Sequence, residues 1–216
     1  MIAPTGLNSA FWPKGDLALA RAAGRTVASA LALVLSDERH ARVEEFRSDD
    51  ASDTASQAAV LRRQMDASFS WDDLRRLRDE WPGKLLVKGI VTADDAARCV
   101  ELGADGVIVS NHGGRQLADL PATADVLPDI VEHIPGSTVI LDSGVCTGAD
   151  VVKAMAFGAN AVMLGRATLY GLAARGEIGV SDVIEMIKRE TDRTLALIGC
   201  RSVGELDRSY ISKRPS

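Results

Sequence analysis

The second half of the chain alternates short, almost uniformly apolar runs with longer amphipathic ones. Leu85 to Gly89, Gly106 to Ser110, Thr138 to Asp142 and Ala161 to Gly165 are rich in aliphatic side chains and bounded by glycine or polar residues. Runs of that length without alternation predict strands covered on both faces. The intervening segments follow helical periodicity. Thr92-Ala93-Asp94-Asp95 reads as a capping box opening a helix through Leu102, with Gly103 as its C-cap. Further helices are expected over about Ala122–Ile134, over Val151–Phe157 ending at Gly158, and over Ser181–Leu197 with Ser181 as N-cap. Trp71 to Trp81 is also helical in pattern, with Leu74 and Leu77 on one face. A weak repeat runs through this half: Gly103-Ala-Asp-Gly-Val and Gly158-Ala-Asn-Ala-Val place the same turn between a helix end and a strand start. Repeated βα units with buried strands predict a parallel sheet.

The first third differs. Ile2-Ala-Pro-Thr-Gly reads as a strand end with its loop, Asp16 to Ala23 as a helix and Ala28 to Ser36 as a second strand. From Asp37 to about Gln57 the chain turns acidic and serine-rich, and Ser48 to Ser56 reads as a solvated linker.

Composition narrows the class. The chain has 216 residues, 46% hydrophobic and 25% charged, enough for one α/β domain with a sizeable core. Its net charge of −5 excludes a dominant nucleic-acid surface. Cys99, Cys146 and Cys200 lie far apart, show no metal spacing, and are expected as free thiols in a reducing cytoplasm. No apolar run reaches the ~18 residues that a membrane helix needs. The N-terminus lacks a basic segment followed by an apolar one. These features predict a soluble, cytoplasmic protein.

Candidate chemistry is densest at Ser110-Asn-His-Gly-Gly-Arg-Gln116, which leaves the C-terminal end of an expected buried strand. Parallel α/β folds gather their ligands at that end. His112 supplies a group that exchanges a proton near neutral pH, and Arg115 one that holds a carboxylate bidentately. The glycines between them let backbone approach a ligand closely. A base beside a carboxylate clamp points to chemistry on a small organic acid.

This heptapeptide resembles the active-site signature of the FMN-dependent α-hydroxy-acid dehydrogenases and oxidases. The resemblance extends from about Gln64 to the C-terminus and over Met1 to about Ser36, and Ile2–Asn8 with Ala173–Glu177 most resembles the mandelate-oxidising members. It implies a TIM (β/α)8-type barrel, FMN as cofactor, and oxidation of a mandelate- or lactate-like 2-hydroxy acid to the 2-oxo acid. By resemblance His112 is the base and, with Arg115, binds the substrate. Lys88 is implied near flavin N1 and the C2 carbonyl, and Ser110 in contact with the flavin. Pro4, Thr5 and Gly6 are implied beside its central ring, with Ser36 a further contact. Asp142-Ser143-Gly144 and Gly165-Arg166 are implied around the phosphate. The family usually has two arginines where this chain carries Cys146 and Thr147, and its oxidases usually have alanine at the position of Gly6. Glycine there resembles the dehydrogenases and favours a quinone or similar electron acceptor over oxygen.

The resemblance is interrupted. About six of the family's eight strands can be placed, and a lid segment, two strands and a long loop have no counterpart between Ser36 and Gln64. The chain thus divides into an N-terminal barrel portion (1–36), an acidic linker at an apparent deletion (37–63) and a C-terminal barrel half with the chemical motifs (64–216). Tyr170 and Tyr210 match neither tyrosine of the family's substrate pocket. Three readings stay open: a working dehydrogenase, an inactive remnant with weak or no flavin binding, and a half-barrel completed by another chain. The oligomeric state is open too, a homo-oligomer included.

Overall fold

A computed structural model describes residues 69–115 and 117–212. The expected strand at 2–6, the expected strand at 28–36 and the linker lie outside the described residues. Within them, four parallel strands pair in chain order: β1 (Leu86–Ile90), β2 (Gly106–Val109), β3 (Thr138–Leu141) and β4 (Ala161–Val162). α1 (Trp71–Glu80) precedes them. α2 (Ala93–Glu101), α3 (Thr123–His133) and α4 (Gly148–Ala156) form the crossovers, and α5 (Arg166–Leu197) follows β4. Neighbours in chain order are what a barrel wall requires. A doubly wound sheet reverses direction beside its first strand.

The two faces of the sheet carry different layers. Val107, Val109, Val139 and Leu141 join the large core under the helices, with Leu127 and Ile130 of α3 and Ala96 and Cys99 of α2. Ile108, Ile140 and Met163 form a separate cluster with Leu86 and Ala161 on the opposite face. Strand side chains alternate with period two, so residues two positions beyond Leu86, Ile108 and Ile140 lie on that same inner face. They are Lys88, Ser110 and Asp142. An apolar layer therefore carries a polar layer above it, at the C-terminal end of the strands.

Register is set by the repeated turn. Gly103 (φ +94°) and Gly158 (φ +99°) end α2 and α4 in the left-handed region. Two residues on, the Asp105 carboxylate accepts the N–H of Leu85 at 2.9 Å, and the Asn160 side-chain carbonyl accepts that of Val139 at 2.7 Å. Each turn thus pins the strand it begins to the start of the preceding one.

Three elements depart from the sequence pattern. α4 starts at Gly148 rather than Val151, because Thr147 and Asp150 form a capping box. β4 pairs only over Ala161–Val162, since its neighbour β3 ends at Leu141. The last helix begins at Arg166 and breaks at Arg175 and Gly176, so Ser181 lies inside its second arm instead of capping it. The arms meet through glycines: a Cβ on Gly171 would strike the Gly179 carbonyl, and one on Gly179 the Gly171 carbonyl.

Gly106 faces the same constraint between strands, where an added Cβ would land on the Thr138 carbonyl. Gly106→Ala is expected to destabilise the chain by about 2–3 kcal/mol through displacement of β2 from β3. Urea unfolding followed by circular dichroism measures it.

Candidate active site

The polar layer is one hydrogen-bonded unit spanning three strands. The Lys88 ammonium of β1 lies 2.9 Å from Asp142 Oδ2 and donates to Ser110 Oγ at 2.9 Å. Ser110 Oγ donates to the same carboxylate oxygen at 2.5 Å. Lys88 is 25% exposed and Asp142 only 8%, so the charges are largely withdrawn from water but paired. Burial works against ionisation of Asp142. The hydrogen bonds from Ser110 and Lys88 and the lysine's charge outweigh it and hold the carboxyl below its ordinary value of 3.8.

Two loops rise from this unit. The first carries His112, Gly113 and Gly114 as a short 3-10 turn with φ values of 54°, 68° and 71°. The second carries Ser143 (φ 78°) and Gly144 (φ 79°). Both histidine and serine here adopt backbone that L residues rarely do, a condition that clusters at functional sites. The N–H of His112 is accepted by Ser110 Oγ at 3.2 Å, and that of Gly113 by Ser143 Oγ at 3.1 Å.

An open cleft of about 120 Å³ lies above, lined by Lys88, His112, Arg115, Asp142, Gly144, Cys146, Gly165 and Arg166 among others. His112, Arg115 and Arg166 are exposed at its rim. The structure therefore brings together the expected residues of positions 88 to 166: Lys88, Ser110, His112, Arg115, Asp142, Ser143, Gly144, Gly165 and Arg166. Pro4, Thr5, Gly6 and Ser36 lie outside the described residues. A second, contiguous cleft of about 320 Å³ runs past Gly144 toward Lys153 and also borders Arg166.

The two helix N-termini near the cleft differ in charge. At α4 the N–H groups of Cys146 and Thr147 both donate to Asp150 Oδ2, at 3.1 and 3.0 Å, and that of Gly148 donates to Glu190 Oε2 at 2.8 Å. Two carboxylates thus occupy the donors that would attract an anion. At α5 the N-cap is Gly165, which has no side-chain cap bond, and Arg166 follows it. A phosphate would find its donors there. The side chains of Asp142 and Ser143 are directed to Lys88, Ser110 and the His112 loop. The Thr147–Asp150 spacing was the sequence signal for the closed α4 terminus; the part played by Glu190 had none.

The sequence model of the FMN-dependent dehydrogenase family matches residues 30–213. The chain belongs to this family. It is 55% identical to (S)-mandelate dehydrogenase of Pseudomonas putida over 166 residues, 77% of this chain and 42% of that protein. It is 51% identical to the peroxisomal (S)-2-hydroxyacid oxidase GLO3 of Arabidopsis thaliana over 154 residues, 71% of this chain and 42% of that protein. A crystal structure of (S)-mandelate dehydrogenase, described as a monotopic membrane protein, superposes with a TM-score of 0.84 at 38% identity, covering 99% of this chain and 80% of that one. The chain spans less than half the length of these two curated relatives. The four described strands form part of an α/β barrel of this family's type.

One expectation is overturned. A soluble cytoplasmic protein is the expectation from the sequence, yet a structural neighbour that covers nearly all of this chain is described as a monotopic membrane protein. Among the described residues no helix is long and apolar enough to cross a membrane. A monotopic protein needs none, so the lack of a spanning helix does not argue against membrane association.

Asp142 contributes stability above pH 3.8, and that contribution is lost as the pH falls through its lower folded value. Asp142→Asn leaves Lys88 without its counter-charge and is expected to cost about 2–3 kcal/mol at neutral pH, with the deficit against the unsubstituted chain shrinking toward pH 3. Urea midpoints of both proteins across that range measure it.

Proposed function

We propose that this chain carries the flavin- and substrate-binding part of an FMN-dependent 2-hydroxy-acid dehydrogenase acting on a mandelate- or lactate-like acid. One observation carries the reading: Lys88, His112, Arg115 and Arg166 line a single cleft at the C-terminal ends of parallel strands.

The donor set fits an anionic flavin nucleotide. Arg166 and the uncapped start of α5 suit a phosphate, Gly144 has open space where a Cβ would stand, and Lys88 supplies positive charge at the floor. FMN, when bound, supplies the two-electron acceptor for the substrate's α-carbon. Arg115 holds the substrate carboxylate and so orients the α-carbon. His112 would take one proton from the substrate's CH–OH group, and with the electron pair and the second hydrogen passed to the acceptor the product is the 2-oxo acid. Lys88, anchored by Asp142 and Ser110, provides fixed positive charge where negative charge develops. Gly6 supports a quinone or similar carrier as final acceptor.

A second reading, weak flavin binding, is favoured by the carboxylates that close the α4 terminus and by Cys146 at a cleft position where the family usually has arginine. Completion of the barrel by another chain is favoured by a sheet of four strands among the described residues. Native mass across a concentration series reads that directly.

The deciding experiment is the visible spectrum of the purified chain with FMN, before and after anaerobic (S)-mandelate or L-lactate. Flavin retained through gel filtration and bleached by substrate is the expected result; a chain that retains none, or retains it unbleached, overturns the reading. His112→Ala is expected to keep the flavin and lower the bleaching rate at least ~100-fold, the usual scale for loss of a general base. Cys146→Arg is expected to tighten FMN binding about tenfold or more by adding a charged phosphate contact, measured by quenching of flavin fluorescence.

A further inference from the structure

We propose that Ser143 is the positioning residue of the histidine loop: its hydroxyl couples the Lys88–Asp142 pair to the backbone that presents His112. The inference rests on the reading of His112 given above for its catalytic consequence, though not for its geometry.

The starting observation is strain. Among the described residues, His112 and Ser143 are the non-glycine positions with positive φ, at 54° and 78°. They belong to different loops, thirty-one positions apart in the numbering, yet one hydrogen bond joins their surroundings. Gly144, the next residue, has φ 79°, so this loop already uses glycine where the backbone asks for it. Serine at position 143 keeps a side chain where glycine would relax the chain, and that side chain has two partners.

Those partners lie on opposite sides. Ser143 Oγ accepts the N–H of Gly113 at 3.1 Å and donates to Asp142 Oδ2 at 3.4 Å. Ser110 Oγ does the same work from below: it accepts the N–H of His112 at 3.2 Å and donates to Asp142 Oδ2 at 2.5 Å. A carboxylate accepts only, so a backbone amide beyond its reach is tied to it only through a group that both accepts and donates. A hydroxyl is that group. Two successive amides of the histidine loop are thus tied by two serines to one carboxylate oxygen. Asn111 Oδ1 also accepts the Gly113 N–H, at 3.0 Å, and Asn111 Nδ2 donates to the Pro121 carbonyl at 3.2 Å, which ties the loop to the segment before α3; Ser143 supplies the separate tie to the Asp142 carboxylate. Thr123 Oγ1 donates to the Ser143 carbonyl at 3.3 Å and holds the clamp from the α3 side.

The test separates hydroxyl from strain. Ser143→Ala removes the hydroxyl and keeps a Cβ at positive φ; Ser143→Gly removes both. Stability should follow the backbone, with the glycine variant melting no lower than the unsubstituted chain and above the alanine variant. Loop order should follow the hydroxyl. In both variants amide exchange, read by NMR on the full chain, is expected to speed by up to about tenfold at Gly113, whose N–H loses one of its two acceptors, and to speed at the adjoining His112 as the loop loosens, while exchange at Val107 to Val109 stays unchanged. With FMN and (S)-mandelate the bleaching rate, read at saturating FMN, should fall about tenfold in both. Unchanged exchange at 112 and 113 in both variants overturns the proposal. If the unsubstituted chain fails to bleach, the dehydrogenase reading falls, and the exchange result alone decides the positioning role.

Discussion

The Lys88–Asp142 pair is the constraint on which the described half of the molecule turns. It joins the first and third strands across the second, with Ser110 hydrogen-bonded to both ends. A half-buried ammonium and a buried carboxylate are tolerated there only because each satisfies the other. Satisfying them in turn demands that β1, β2 and β3 keep one register, with Leu86, Ile108 and Ile140 filling the layer below. The loops that carry His112 and Ser143 inherit their placement from that pair, since the serines tied to Asp142 also accept the loop amides.

Helix termini divide the electrostatic labour around the cleft. The start of α4 is neutralised by Asp150 and Glu190, whereas the start of α5 stays uncapped beside Arg166. The site is therefore polarised: positive potential gathers along Arg166 and Arg115, and the wall formed by α4 is shielded. An organic acid and a phosphorylated ligand would both be drawn to the same side.

Much of this was legible in the sequence, for identifiable reasons. Buried parallel strands consist of aliphatic runs, so 85–89, 106–110 and 138–142 declared themselves, and Gly103 and Gly158 marked the ends of α2 and α4. The chemistry of Lys88, His112, Arg115 and Arg166 was visible through the resemblance. What stayed hidden was contact between distant positions. That Asp142 neutralises Lys88 depends on the register of β1, β2 and β3, to which Asp105 contributes by accepting a single amide at Leu85. The break at Arg175–Gly176 was hidden as well, because the backbone contact of Gly171 with Gly179 leaves no apolar signature. Attachment to a membrane surface by a structural relative has no spanning segment to announce it.

The repeated turn has a kinetic consequence. Asp105 and Asn160 each clamp a new strand to its predecessor across about twenty residues of chain. The units that begin β2 and β4 thus carry their own alignment device and need no distant strand to find their place. A sheet of this design can assemble by accretion, one unit templating the next, with loop closure kept short at every step. Slippage by one residue, which would bury the outward face and expose the inward one, is penalised locally at the moment each strand docks.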